Sequence, residues 1–142
     1  MAKKMNLLAL DTSTSRAFVA LCVDGVMFLE EEENLRAHAR VLLSMVERVL
    51  LRAGVTLDKL DGLVFGEGPG SFTGLRIACS VAKGLAYAHD LPIYPVSGLR
   101  AIGAAVKDLD AVRILPENMP VLVMMDARMN QVYWAFDSNK LV

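Results

Sequence analysis

The sequence predicts an α/β fold built on a mixed sheet, and three observations carry that expectation. Apolar runs flank Asp24-Gly25, a hairpin signal because a two-residue turn of this kind needs positive φ at both positions. From His38 to Ala53 the apolar spacing changes to the period of a helix. Beyond it, short apolar runs at 63–65 and 92–96 alternate with helical patterns at 73–88 and 98–107. An antiparallel meander followed by strand, helix, strand, helix implies a sheet extended by parallel strands, with helices on its faces.

In chain order, residues 6–10 form a first strand that opens into "DTSTS", residues 11–15. Residues 18–23 and 26–30 are the two arms of the hairpin, and the acidic run 30–33 reads as a solvated strand end and loop. In the helix His38–Ala53, Val41, Leu42, Met45, Val46, Val49, Leu50 and Ala53 fall on one half, with Leu43 at its edge. Arg40, Ser44 and Glu47 lie opposite, and Gly54 suits the position just past the helix end. That apolar arc is wider than one sheet face requires, which leaves surface for a second partner. Strand 63–65 then breaks into the glycine loop "GEGPGSFTG", which launches helix 73–88. Strand 92–96 is followed by Ser97 as N-cap of helix 98–107. A new unit starts near Glu117, where "MPVLVMMDA" and "QVYWAF" make a hairpin around 128–130. A lone hairpin carrying Tyr133, Trp134 and Phe136 is marginal in water, so it packs back on the first domain or opens a longer second lobe.

The chain has 142 residues, 54% of them hydrophobic, with a net charge of −1. It is long enough for one substantial core and carries no overall field that would draw it onto nucleic acid. Cys22 and Cys79 sit in apolar runs without metal or redox spacing, as buried thiols do. No apolar run reaches the length of a membrane span, and Asp11 ends the first apolar stretch too early for a signal peptide. A soluble, cytoplasmic protein is expected.

The glycine loop sits where a strand hands over to a helix, so its free N–H groups and the helix dipole suit an anion. It lacks the GxxxxGK[ST] spacing and the ribose-binding acid of a dinucleotide site, and no lysine follows before Lys83. The competing reading is a tight corner capped by Ser71 or Thr73. In the following helix Gly74, Ala78, Ala82 and Ala86 recur every four residues, and Arg76 and Lys83 are its only charges. Such a helix is buried on more than one face, either against another chain or wholly within this one. Catalytic constellations are thin. His38 and His89 form no helical metal pair, and Asp11 and Asp126 end strands as metal-binding carboxylates or plain turn residues do.

Three stretches, "LALDTSTSRAFVAL", "GEGPGSFTGLRIACSVAKGLAYAHDLPIYPVSGL" and "MDARMNQVYWA", resemble the bacterial TsaB (YeaZ) family over residues 6–136, nearly the whole chain. "GPGSFTGLR" followed by "AKGLA" is the specific part. The resemblance implies a lobe of the actin-like/sugar kinase/Hsp70 type (ribonuclease H-like), with residues 1–116 as the first lobe and 117–142 as the start of an incomplete second. It implies a role in making N6-threonylcarbamoyladenosine at position 37 of tRNA, as a non-catalytic dimerisation subunit. The partners it implies are the transferase subunit TsaD and the ATPase TsaE, with a homodimer when TsaD is absent, and tRNA reached only through the complex.

In that family the helices of the first lobe make the dimer interface. Carried onto this sequence, the interface candidates are His38, Leu42, Met45, Val46 and Val49 of one helix and Gly74, Ile77, Ala78, Val81, Ala82 and Leu85 of the other. Ala82→Glu or Ala78→Leu is then expected to abolish partner binding in a soluble fold. Enzymes of this fold hold ATP phosphates with DxG[ST] after the first strand, whereas this chain has Asp11-Thr12-Ser13. No cofactor is therefore required. The alternative, an ATP- or ADP-binding enzyme of the actin-like superfamily, would place Asp11, Thr12, Ser13, Gly68, Gly70 and Ser71 around a phosphate. A metallopeptidase would need the histidine pair that is missing, so catalytic and metal residues are none. The family continues beyond the hairpin to complete its second lobe.

Overall fold

A computed structural model describes residues 4–33, 39–107, 109, 116 and 119–137. The chain divides into two compact units, Met1–Pro95 and Val96–Val142. In the first, β1 (Leu7–Asp11), β2 (Arg16–Val23) and β3 (Val26–Glu33) are followed by α1 (Ala39–Ala53) and a 3-10 turn (Leu57–Lys59). Then come β4 (Gly62–Gly66), α2 (Phe72–His89) and β5 (Ile93–Val96), which ends at the boundary between the units. The sheet order is β3-β2-β1-β4-β5. β1 pairs antiparallel with β2, and β2 with β3, whereas β4 lies parallel to β1 with Ala9 opposite Val64. The meander and its parallel extension are as expected. Asp24 and Gly25 both take positive φ, 52° and 85°, as the tight hairpin turn demands.

Strand alternation decides the core. Leu8 and Leu10 of β1, Ala17, Val19 and Leu21 of β2, and Leu63 of β4 are buried on one face. Against them pack Leu42, Met45, Val46 and Val49 of α1 and Val81, Ala82 and Ala86 of α2. Leu7, Ala9, Phe18, Ala20 and Cys22, on the alternate positions, remain half-buried.

The acidic run is not a loop. It prolongs β3 to Glu33, and the two-residue period sends its carboxylates to opposite sides. Glu30 accepts from Arg48 Nε at 2.9 Å and Arg52 Nη1 at 2.6 Å, and Glu32 accepts from Arg48 Nη2 at 3.4 Å. Arg52 also donates to the Leu29 carbonyl at 3.0 Å. Arg16 pairs with Glu31 and Glu33 on the other side. Hydrogen bonds from Arg48 and Arg52 hold the Glu30 carboxyl below its ordinary range.

The second unit contains α3 (Gly98–Lys107) and the antiparallel pair β6 (Val121–Arg128) and β7 (Gln131–Asp137). α3 packs on this hairpin and buries Leu99 and Gly103, while β6 buries Val123. Read from sequence alone, the chain divides between 116 and 117, so helix 98–107 falls in the first lobe; by compactness it groups with the hairpin. The turn residues Arg128, Met129 and Asn130 all have positive φ, and Asp126 Oδ1 accepts from Arg128 N at 2.8 Å. Asp126 is thus a turn residue.

Two measurements follow from this packing. Leu42, with no exposed surface, should cost about 2–5 kcal/mol on truncation to Ala. Leu51, 83% exposed, should change stability by less than about 0.5 kcal/mol in the same urea titration. Because the Glu30 carboxyl is depressed, its contribution is full above the ordinary glutamate range and lost as pH falls through the depressed value. Glu30→Gln should therefore lower stability by no more than about 1 kcal/mol at pH 7, the arginines being half exposed. The difference from the parent should vanish in acid.

Candidate functional site

Because β1 and β4 are parallel neighbours, Asp11 at the end of one lies beside Gly66 at the end of the other. The glycine loop folds down onto residues 11–13. A Cβ on Gly66 would overlap Asp11 Oδ2, one on Gly70 would overlap the Ser13 carbonyl, and one on Gly74 would overlap the Thr12 carbonyl. These glycines exist for close approach of chain to chain.

The polar groups there satisfy one another. Ser71 N donates to the Ser13 carbonyl at 2.7 Å, and Thr12 Oγ1, 3% exposed, donates to the Gly74 carbonyl at 2.5 Å. Asp11 Oδ1 accepts from Ser13 N at 2.9 Å and from Ser13 Oγ at 2.7 Å. Ser71 Oγ caps α2 by accepting from Gly74 N at 3.2 Å, the role expected of Ser71 or Thr73. Gly68, with φ of 100°, lies against the Leu75 side chain. The structure thus gathers Asp11, Thr12, Ser13, Gly70 and Ser71 at one corner, with the backbone of residues 12 and 13 directly against Gly70 and Gly74. Sequence inspection missed Thr12 as a lock; a hydroxyl just after a strand, facing a glycine helix start, was its only signal.

The two helices differ from expectation in which side faces out. Leu42, Met45, Val46 and Val49 are buried in the chain's own core, as are Gly74, Ala78, Val81 and Ala82. Ile77 and Leu85 are half-buried, and His38 lies outside the described residues. The glycine-and-alanine ridge faces its own sheet, because absent side chains are what let α2 settle against Thr12 and β1. These buried residues are therefore core rather than contact surface, which corrects the interface assignment made for them.

The outward side is formed by others. On α1, Leu43 is 41% and Leu51 83% exposed; on α2, Phe72 is 69% and Tyr87 93% exposed. The Arg76 guanidinium stacks over the Phe72 ring at 4.1 Å. Ala39 at the start of α1 meets Phe72, Thr73, Arg76, Ile77 and Ser80 around a shallow depression of about 370 Å³. Residues 72, 76, 80, 83, 84 and 87 follow helical spacing along one side, a signal present in the sequence but masked by the stronger alanine ridge. Among the described residues no group of three or more metal-ligating side chains is assembled, and no helix is long and apolar enough to cross a membrane.

Comparison with known proteins is consistent in direction. Residues 31–141 match the family model described as TsaD, tRNA N6-adenosine threonylcarbamoyltransferase. The tRNA threonylcarbamoyladenosine biosynthesis protein TsaB of Haemophilus influenzae is 41% identical over 133 residues, covering 94% of this chain and 54% of that protein. The protein of the same name from Escherichia coli is 40% identical over 132 residues, covering 92% and 54%. The solved structure of YeaZ from Pseudomonas aeruginosa superposes with a TM-score of 0.83 at 39% identity, over 97% of this chain and 62% of that one. The chain spans about half the length of the curated relatives it matches.

The corner and the inward ridge can be checked together. Gly74→Ala should cost about 1–3 kcal/mol by overpacking against the Thr12 carbonyl, and Thr12→Val about 1 kcal/mol through the lost hydrogen bond. Ala82→Glu should unfold the first unit outright, since it places a carboxylate in a site with no exposed surface. Circular dichroism with urea titration reads all three.

Proposed function

Because the chain belongs to the TsaD family and, within it, to the TsaB (YeaZ) group, we propose that it serves tRNA threonylcarbamoyladenosine biosynthesis as a non-catalytic subunit that binds a TsaD-type transferase. One observation carries the proposal beyond family membership: α1 and α2 both present large apolar side chains outward, and α2 does so while its glycine-and-alanine ridge is turned onto the chain's own sheet. The surface offered to the transferase subunit is then Leu43 and Leu51 of α1 with Phe72, Arg76 and Tyr87 of α2. The helices are those expected from sequence, with the contact residues exchanged for their outward neighbours.

The corner at Asp11–Ser13 supports a role without nucleotide chemistry, because its donors and acceptors are turned on each other. No cofactor is required in this proposal, and ATP or ADP binds weakly if at all. TsaE joins through the transferase complex, tRNA is met only there, a self-paired form uses the same helix face when the transferase is absent, and the work is cytoplasmic. The hairpin unit from residue 117 onward belongs to a second actin-like lobe.

Titration calorimetry of the full chain tests both sides. One-to-one binding to a purified TsaD-family subunit is expected, with ATP and Mg²⁺ giving no heat below millimolar concentration. Micromolar ATP binding accompanied by hydrolysis would instead support the nucleotide-enzyme alternative. Failure to bind the TsaD-family subunit would remove the scaffold role.

A further inference from the structure

β3 is the last strand of its sheet, and among the described residues no strand pairs with its outer edge. It runs from Val26 to Glu33, matches β2 residue for residue and contains no proline. A long, straight edge of this kind is a template for strand addition unless something blunts it.

The hairpin turn decides which backbone groups stand free. A two-residue turn makes its flanking residues a hydrogen-bonded pair, here Val23 and Val26. The alternation of the antiparallel ladder then turns the N–H and C=O groups of Met27, Leu29, Glu31 and Glu33 away from β2. The far half of this edge is guarded by charge, because a second copy pairing there would set glutamate against glutamate. The half beside the turn has no such guard. Met27 and Leu29 are 64% and 51% exposed. If Met27 paired with Leu29 of a second copy about a two-fold axis, no glutamate would oppose another.

One free group in that half is already taken. Arg52, in the last turn of α1, donates to the Leu29 carbonyl at 3.0 Å through the same nitrogen that donates to Glu30 Oε1 at 2.6 Å. Glu30 thereby steers the guanidinium over the sheet edge. Arg48 holds the other oxygen of the same carboxylate, through Nε at 2.9 Å, and reaches on to Glu32.

We infer that Arg52 is an edge guard: it closes the Leu29 carbonyl against strand addition by a second copy, so that the chain does not self-associate through β3. In the pairing of Met27 with Leu29, the Leu29 carbonyl of each copy must accept from the Met27 N–H of the other. One arginine per chain therefore denies the contact half of its backbone bonds. The acidic run and the arginine divide the edge between them, charge protecting one half and a side chain plugging the other. The outward faces of α1 and α2 take no part, so association through those helices stays open.

The full chain is compared with Arg52→Ala, Arg48→Ala and the double variant Arg52→Ala/Met27→Pro by sedimentation velocity and amide hydrogen exchange. Circular dichroism reads the fold of each. Arg48→Ala removes an equal charge from the same glutamate but leaves Arg52 on Leu29. Met27→Pro deletes an N–H that points away from β2, so it blocks an added strand without breaking the sheet. Arg52→Ala should self-associate about 10-fold more strongly than the parent, as two freed backbone bonds imply, with Met27 and Leu29 amides exchanging more slowly as concentration rises. Arg48→Ala should match the parent, and adding Met27→Pro to Arg52→Ala should restore parental behaviour. Arg52→Ala that sediments like the parent overturns the inference. So does association of equal strength in Arg48→Ala, which would trace it to lost charge, or association that survives Met27→Pro, which would place it off the edge. Should Arg52→Ala fail to fold, Arg52→Gln, which keeps much of the stem without the guanidinium, takes its place with the same outcomes.

Discussion

Between the end of β1 and the start of α2 the two segments meet too closely for a Cβ on either Gly66 or Gly74, and the direction in which α2 faces outward depends on that contact. Gly66, Gly70 and Gly74 are small enough to let the loop settle on Asp11, Thr12 and Ser13, and the Thr12 hydroxyl pins the Gly74 carbonyl from beneath. With the first turn of α2 fixed there, the helix can lie on the sheet only with its glycine-and-alanine ridge downward. Phe72, Arg76, Lys83 and Tyr87 are then carried to the other side by the helical period alone. The same contact packs the glycine loop onto the backbone of residues 12 and 13, so one steric arrangement sets both this corner and the direction in which the outer side of α2 points.

α1 is oriented by a different interaction. Its apolar half enters the core through Leu42, Met45, Val46 and Val49, and its flank is tied to β3 by Arg48 and Arg52 on Glu30 and Glu32. Exposed ion pairs of this kind add little stability each. Their effect is directional: they commit two of the helix's arginines and leave Arg40 and Glu47 beside Leu43 and Leu51 on the outward side. The alternation of β3 makes this possible, because Glu31 and Glu33 are sent across the sheet to Arg16 and do not compete. Four consecutive glutamates thus divide between two sets of partners without a buried charge.

The second unit is thinner. One helix covers one side of a two-stranded sheet, and the other side shows Leu122, Met124, Val132, Trp134 and Phe136, with the Trp134 and Phe136 rings edge-to-face at 5.8 Å. A two-stranded sheet with a single covering helix is a small core. The relatives are nearly twice as long as the aligned region, so the same strands in them lie within a larger body.

Much of this architecture was legible locally. The Asp24-Gly25 turn, the period change at α1, the strand–loop–helix order and the capping by Ser71 each involve residues within a few positions of one another, where propensity and hydrogen-bond geometry decide. The strand character of Glu31–Glu33 was not legible, because pairing with Arg16 and Ala17 across the sheet overrode a run of charge that by itself reads as loop. Nor could the sequence tell which half of α2 would meet the sheet. A helix apolar nearly all round gives the angles between its residues but no direction in space. That direction came from Thr12 meeting Gly74 across 62 residues, a contact that only the folded chain brings together.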